Sequence, residues 1–280
     1  MDATNDFYDI NTSNERIKEI LDSAETFGEL RQIPNADQLT YSNGFYVNCT
    51  ALFIDIRGSS RLTEKHTAPV LLKIYKAYVS ECTAIINSDQ NCRQLSIDGD
   101  CVSGIINTPL KQDINNAFST AAKLCSIIKL LNWQFEKKGY TTIQCGIGMA
   151  YGKALMMKAG YKGSGINEVI WIKDVVNEAS NLCHQGNRDY RKPLQVSVGI
   201  YNNLNDYNKN LLSPVFFQNS VLRVSQYEGD VINKDMDAWL ENQKRVSSGL
   251  RLADLHKIHP SMFPATNTLA GIGLLGLSKR

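Results

Sequence analysis

The chain predicts an α+β fold: a ferredoxin-like βαββαβ core with an N-terminal helix and a C-terminal helical extension. Three observations lead there. Short runs that give way to turn residues, at 47–56, 92–98, 101–106 and 142–151, read as strands. Two long stretches between them, 67–88 and 112–138, carry apolar residues at helical spacing. Their order along the chain is strand, helix, two strands, helix, strand.

Each element has its own reason. Residues 13–32 start with Ser13 and Glu15 and place Ile17, Ile20, Leu21, Ala24 and Phe27 on one face, which predicts an amphipathic helix. Pro34-Asn35-Ala36-Asp37 ends it. The first core strand closes on Phe53-Ile54-Asp55-Ile56 and runs into Arg57-Gly58-Ser59-Ser60. The helix over 67–88 buries Val70, Leu71, Ile74, Tyr75, Tyr78, Val79 and Cys82. Gly99-Asp100 turns a hairpin between 92–98 and 101–106. After the helix at 112–138 come strands at 142–151 and 169–172, a helix at 175–185 capped by Asp174, a strand at 194–198 and a short helix at 200–204. Residues 235 to 257 read as helical, and beyond Pro260 periodicity fades.

Composition narrows the classes. With 43% hydrophobic residues in 280, a full core is expected. Thirty basic against 28 acidic residues leave +2, which is no electrostatic footprint for nucleic acid. Seven cysteines without a CxxC pair read as reduced thiols, and the polar, acidic Met1–Asp6 is no signal peptide, so a cytoplasmic location is expected. The apolar run 269–277 is too short for a membrane span and is read as packing on the body or on a partner.

The chemistry lies in two acidic strand ends. Carboxylates at adjacent strand ends can share divalent cations, and a Gly-Ser-Ser loop entering a helix offers N–H groups to phosphates. Together they indicate a magnesium–nucleotide site. Three motifs in order then resemble the class III nucleotidyl cyclases over about residues 48–240: Phe53-Ile54-Asp55-Ile56-Arg57-Gly58-Ser59-Ser60, Ile97-Asp98-Gly99-Asp100, and Gly146-Ile147-Gly148-Met149-Ala150-Tyr151-Gly152 followed by Trp171 to Ser180.

The resemblance implies a catalytic domain at 47–234, an N-terminal extension at 1–46 and a C-terminal extension and tail at 235–280. It implies two Mg2+ or Mn2+ ions held by Asp55, Asp100 and the Ile56 carbonyl, and phosphates received by Gly58, Ser59, Ser60 and Lys234. It also implies a homodimer in which Asn177 of the other chain orients the ribose. The positions that read a purine in the family are Ser96 and Ile170 here, and neither suits that task. The family's arginine after the helix asparagine is Asn181 here, and one on the central strand is Gly146. Arg57, inside the phosphate loop, is expected to restore the charge or read the base, with a salt bridge to Asp98 or Glu64 as the plainer reading. Trp171 and Tyr161 are read as core or interface aromatics, with base stacking as the alternative.

The DIRGSS loop and the altered base positions resemble the pyrimidine cyclases of bacterial Pycsar antiphage systems. That implies conversion of UTP or CTP to a cyclic nucleotide read by a separate effector protein. Two alternatives stand beside it: a purine cyclase with an unusual base pocket, and a cyclase-like binding module without catalysis.

Overall fold

Nine strands form one sheet in the computed structural model, which describes residues 3, 5, 7–163, 167–172, 174–217 and 222–247. The chain divides into two compact units, Met1–Asp237 and Ala238–Arg280. The first holds the sheet. Of the second, only the continuation of the last helix to Ser247 is described, so the run 269–277 and most of the tail expectation lie outside the described residues.

The elements in order are α1 (Ile10–Asp22), β1 (Thr26–Leu30), β2 (Asn43–Ile56), α2 (Ser59–Lys65), α3 (Ala68–Asn87), β3 (Cys92–Asp98), β4 (Cys101–Asn107) and α4 (Lys111–Lys137). Then follow β5 (Cys145–Gly160), β6 (Asn167–Ile172), α5 (Asp174–Gln185), β7 (Leu194–Val196), α6 (Val198–Asn203), α7 (Asp206–Lys209), β8 (Ser213–Phe216), β9 (Val224–Gly229) and α8 (Lys234–Ser247). The βαββαβ core is β2-α3-β3-β4-α4-β5. The strand order is β3-β4-β2-β5-β7-β9-β8, with β1 added to β2 and β6 added to β5.

The period of two along β2 builds both sides of the sheet. Leu52, Ile54 and Ile56 point into the larger core with α3 and α4, where Ile74, Tyr78, Cys82, Phe118 and Leu124 are buried. Val47, Cys49 and Ala51 point the other way, into a smaller core with Val175, Ala179 and Leu182 of α5. Phe53 packs against that second core, and Asp55 is next in the same alternation. The carboxylate is thereby delivered to the α5 side of the sheet.

The helix expected over 13–32 is shorter. Asp9 caps it, accepting from the Thr12 N–H at 2.8 Å, and the helix stops at Asp22. Thr26–Leu30 is instead a strand, parallel to Asn43–Val47. That stretch of β2 lies ahead of the β4 pairing, which starts at Cys49, so its edge is open for β1. Likewise β5 runs to Gly160 rather than 151, pairing with β6 over its last six residues. Among the described residues, no helix is long and apolar enough to cross a membrane.

Candidate active site

The β3–β4 hairpin carries Asp100 at its turn, where Gly99 takes φ 61°, a conformation that glycine adopts without strain. Antiparallel pairing with β2 sets that turn beside the end of β2. Asp55 and Asp100 then stand as neighbouring carboxylates, and the Oδ2 of Asp100 is buried with no hydrogen-bond partner. Burial raises the Asp55 pKa, and the Asp100 charge raises it further, against a lowering by Arg57. Two acceptor-only groups facing each other, one with an orphaned oxygen, call for a shared positive charge. Among the described residues no group of three or more His, Cys, Asp or Glu side chains could hold a metal. The chemistry of the pair suits a divalent cation, for which Asp55 and Asp100 would be the anionic oxygen donors.

A cleft of about 450 Å³ opens from Asp55, lined by Phe53, Ser96, Asp98, Cys101, Ser103, Ser180, Cys183 and His184. Its floor follows from register. Ser96 pairs with Ser103, Ser103 with Phe53, and Phe53 with Gly148, so two hydroxyls and one aromatic ring share a rung.

Arg57 is held more tightly than its loop position suggests. Its side chain is only 6% exposed, against 30% for Asp55, and the two pair at 3.0 Å. Nε donates to the Gly186 carbonyl at 2.9 Å, and Nη2 donates to the Cys183 carbonyl. The carboxylate partner is therefore Asp55 and not Asp98 or Glu64, because residues 55 and 57 share a face. The guanidinium fills the space above Gly146: a Cβ there would meet its Nη2, with Cζ at 2.8 Å. The space that a side chain on β5 would fill at Gly146 is thus taken by Arg57 from the loop after β2.

The loop itself turns at Gly58, with φ 63°, and leads into α2. The Arg61 side chain folds back over it, close enough that a Cβ at Gly58 would lie 2.7 Å from Arg61 Nη2. Tyr75 of α3 interacts with Ser59 and also feels the Asp100 charge. Sequence reasoning missed Arg61 and, as a site residue, Tyr75, because their approach depends on how α2 and α3 return over the strand end.

Asp55, Asp100, Ile56, Arg57, Gly58, Ser59, Ser60 and Ser96 gather at one end of the sheet. Three other expected residues are carried by other elements, α5, β6 and α8. Asn177 is on an exposed face of α5, as is Asn181. Ile170 pairs with Met157 in the β5–β6 hairpin. Lys234 begins α8, its Nζ 5.3 Å from the centre of the Tyr207 ring. The neighbouring Asn233 N–H donates to Ser126 of α4, on the opposite side of the sheet from Asp55. Trp171 and Tyr161 have partners: Trp171 donates to Gln94, and Arg16 lies over Tyr161. The helix of Asn177 begins at Asp174 itself, so Asp174 is its first residue rather than its cap.

With this geometry in hand, comparisons place the chain. The model of the adenylate and guanylate cyclase catalytic domain matches residues 42–216. A uridylate cyclase of Treponema porcinum is 36% identical over 233 residues, covering 83% of this chain and 81% of that one. A uridylate cyclase of Gulbenkiania mobilis is 33% identical over 258 residues, covering 87% of this chain and all (100%) of that one. In structure, the adenylyl cyclase CyaB of P. aeruginosa superposes with a TM-score of 0.56 at 21% identity, over 69% of this chain and 98% of that one. The paired carboxylates at the strand ends and these likenesses agree, and the chain belongs to the class III nucleotidyl cyclases.

Proposed function

We propose that the chain is a uridylate cyclase, forming 3′,5′-cyclic UMP and pyrophosphate from UTP in composite sites of a homodimer. The observation that carries catalysis is the Asp55–Asp100 pair, in which Asp100 has an orphaned buried oxygen and Asp55 lines the cleft. The uracil assignment is supported by the two uridylate cyclase relatives, and by Ser96 and Ile170 standing where purine-reading side chains are expected. Of the UTP and CTP that the sequence left open, these relatives favour UTP.

Two Mg2+ or Mn2+ ions held by Asp55, Asp100 and the Ile56 carbonyl would supply charge against the triphosphate and acidify the ribose 3′-hydroxyl. The chain's own residues do the rest. N–H groups at Gly58, Ser59 and Ser60 receive phosphate oxygens. Arg57 holds Asp55 in place, and its tie to the end of α5 fixes that helix against the strand. Asn177, exposed on α5, orients the ribose in the partner's site, so two chains are needed to complete the reaction. The 3′-oxygen bonds to the α-phosphorus as the bond to pyrophosphate breaks, and the hydroxyl proton leaves to solvent. As the resemblance implies, cyclic UMP would act as a messenger to a separate effector in antiphage defence.

The test is product identification. Purified protein with MnCl2 and ATP, GTP, CTP or UTP in separate reactions is expected to give cyclic UMP from UTP as the dominant product by mass spectrometry. Cyclic AMP or cyclic GMP as the main product would overturn the uridine assignment.

A further inference from the structure

We infer that Arg61 grips the terminal phosphates of the nucleotide, those that leave as pyrophosphate; the inference deepens the cyclase reading and rests on the phosphate loop proposed there. Two guanidiniums stand at this loop, and their states differ. Arg57 is engaged on every side. Its Nη1 donates to Asp55 at 3.0 Å, its Nε to the Gly186 carbonyl at 2.9 Å, and its Nη2 to the Cys183 carbonyl. With 6% of its side chain exposed, it cannot turn to a ligand without breaking three hydrogen bonds. Its role is to hold Asp55.

Arg61 is in the opposite state. It is exposed, and among the described residues its guanidinium makes no hydrogen bond or ion pair. Its side chain nevertheless stays on the loop. The Arg61 backbone N–H donates to the Gly58 carbonyl at 2.9 Å, which closes the first turn of α2 and sets residue 61 over residue 58. A Cβ at Gly58 would lie 2.7 Å from Arg61 Nη2, 2.8 Å from Nε and 3.2 Å from Cζ. The guanidinium therefore lies against the turn of the loop. Gly58 permits this twice over: its φ of 63° makes the turn, and its missing Cβ leaves the room. The pose sets five unengaged N–H donors beside the backbone N–H groups to which phosphate oxygens are assigned.

A guanidinium in this place suits one part of the substrate. It is always charged, and its fork matches two oxygens of a phosphate. The loop's other side chains are less suited: Arg57 is committed to Asp55, and Ser59 interacts with Tyr75. In the reaction the 3′-oxygen bonds to the α-phosphorus while the bond from that phosphorus to the bridging oxygen breaks. The electron pair of the broken bond stays on the departing pyrophosphate. Negative charge thus grows on the group that Arg61 holds, and the contact strengthens toward the transition state. Arg61 therefore serves both the binding of the triphosphate and the departure of pyrophosphate.

The experiment measures binding of inorganic pyrophosphate by calorimetry, with MgCl2 present, in wild type, Arg61→Ala and Lys111→Ala, beside kcat/KM for UTP. The Arg61 guanidinium makes no bond within the described residues, so its variant should melt with the wild type. Pyrophosphate affinity is expected to fall at least about tenfold in Arg61→Ala, the scale of one hydrogen bond to a charged group, and kcat/KM for UTP should fall by at least as much. Lys111 is the exposed first residue of α4 and follows the end of β4 away from the carboxylates. Lys111→Ala loses the same charge and should bind pyrophosphate as the wild type does. Equal affinity in wild type and Arg61→Ala, or an equal loss in Lys111→Ala, overturns the grip, as does a wild type that binds no pyrophosphate. Pyrophosphate carries no base, which keeps the two readings apart. A wild type that forms no cyclic UMP, but whose pyrophosphate affinity falls with Arg61→Ala, overturns the uridylate reading and leaves the grip standing.

Discussion

Replacing Asp100 by asparagine is expected to cut cyclic nucleotide formation by roughly 10³-fold, the scale of losing a principal charge-stabilising group at a reaction centre. The same change should make the metal-free protein more stable at neutral pH. The reason is the raised pKa of Asp55, caused first by burial and then by the Asp100 charge. A carboxylate whose folded-state pKa is raised contributes stability below its unfolded value, near ~3.9, and loses it as pH climbs through the folded value. At pH 7 the metal-free site therefore carries a like-charge penalty that Asp100→Asn relieves. The gain should shrink as the pH falls into the carboxylate range. Adding MnCl2 should raise the melting temperature of the wild type and leave that of the variant nearly unmoved. An equal metal-induced shift in both proteins would show that the pair is not the cation site.

Gly148→Ala is the second large effect, and it concerns stability. Gly148 lies in β5 directly under α5. A Cβ there would collide with the Ala179 carbonyl oxygen and the Cys183 amide, and would sit 2.7 Å from Cys183 Cα. These are backbone atoms of a packed helix, so no side chain can swing aside. Overpacking of this kind costs about 3 kcal/mol, which for a domain of this size lowers the melting temperature by roughly 6–12 °C. Activity should fall alongside, because α5 carries the Cys183 carbonyl that holds Arg57, and the exposed Asn177. Gly152→Ala is the matched control: its nearest neighbour is the Val175 side chain at 3.6 Å, an ordinary contact. A Gly148→Ala protein that melts with the wild type would contradict the close packing of α5 on β5.

Much of this arrangement is legible in the sequence because its signals are local. The β2 strand announces itself by β-branched residues ending on Asp55, the hairpin by Gly99-Asp100, and α3 by its buried stripe of Ile74, Tyr78 and Cys82. What stayed hidden depends on distant partners. Thr26–Leu30 continues an amphipathic pattern and becomes a strand only because β2 offers an open edge. Strands β8 and β9 show no alternation of buried and exposed residues and are held by pairing with each other and with β7. Gly146 looks like a lost arginine until Arg57 is found filling its space. Gln94 and Trp171 lie 77 positions apart, and nothing in either neighbourhood foretells their hydrogen bond.

The assignment of Asn177 to the partner's site gives the most direct test of the whole account. Asp100→Asn and Asn177→Ala proteins are each to be assayed alone with UTP and MnCl2, then mixed, allowed to exchange subunits and assayed again. In a C2 dimer, random exchange puts half of the dimers in mixed form, and each mixed dimer regains one of two sites, so cyclic UMP formation should return to about one quarter of the wild-type rate. If the mixture stays as silent as its components after exchange is verified, the two residues do not complete each other's site, and the composite uridylate cyclase proposed for this chain is wrong.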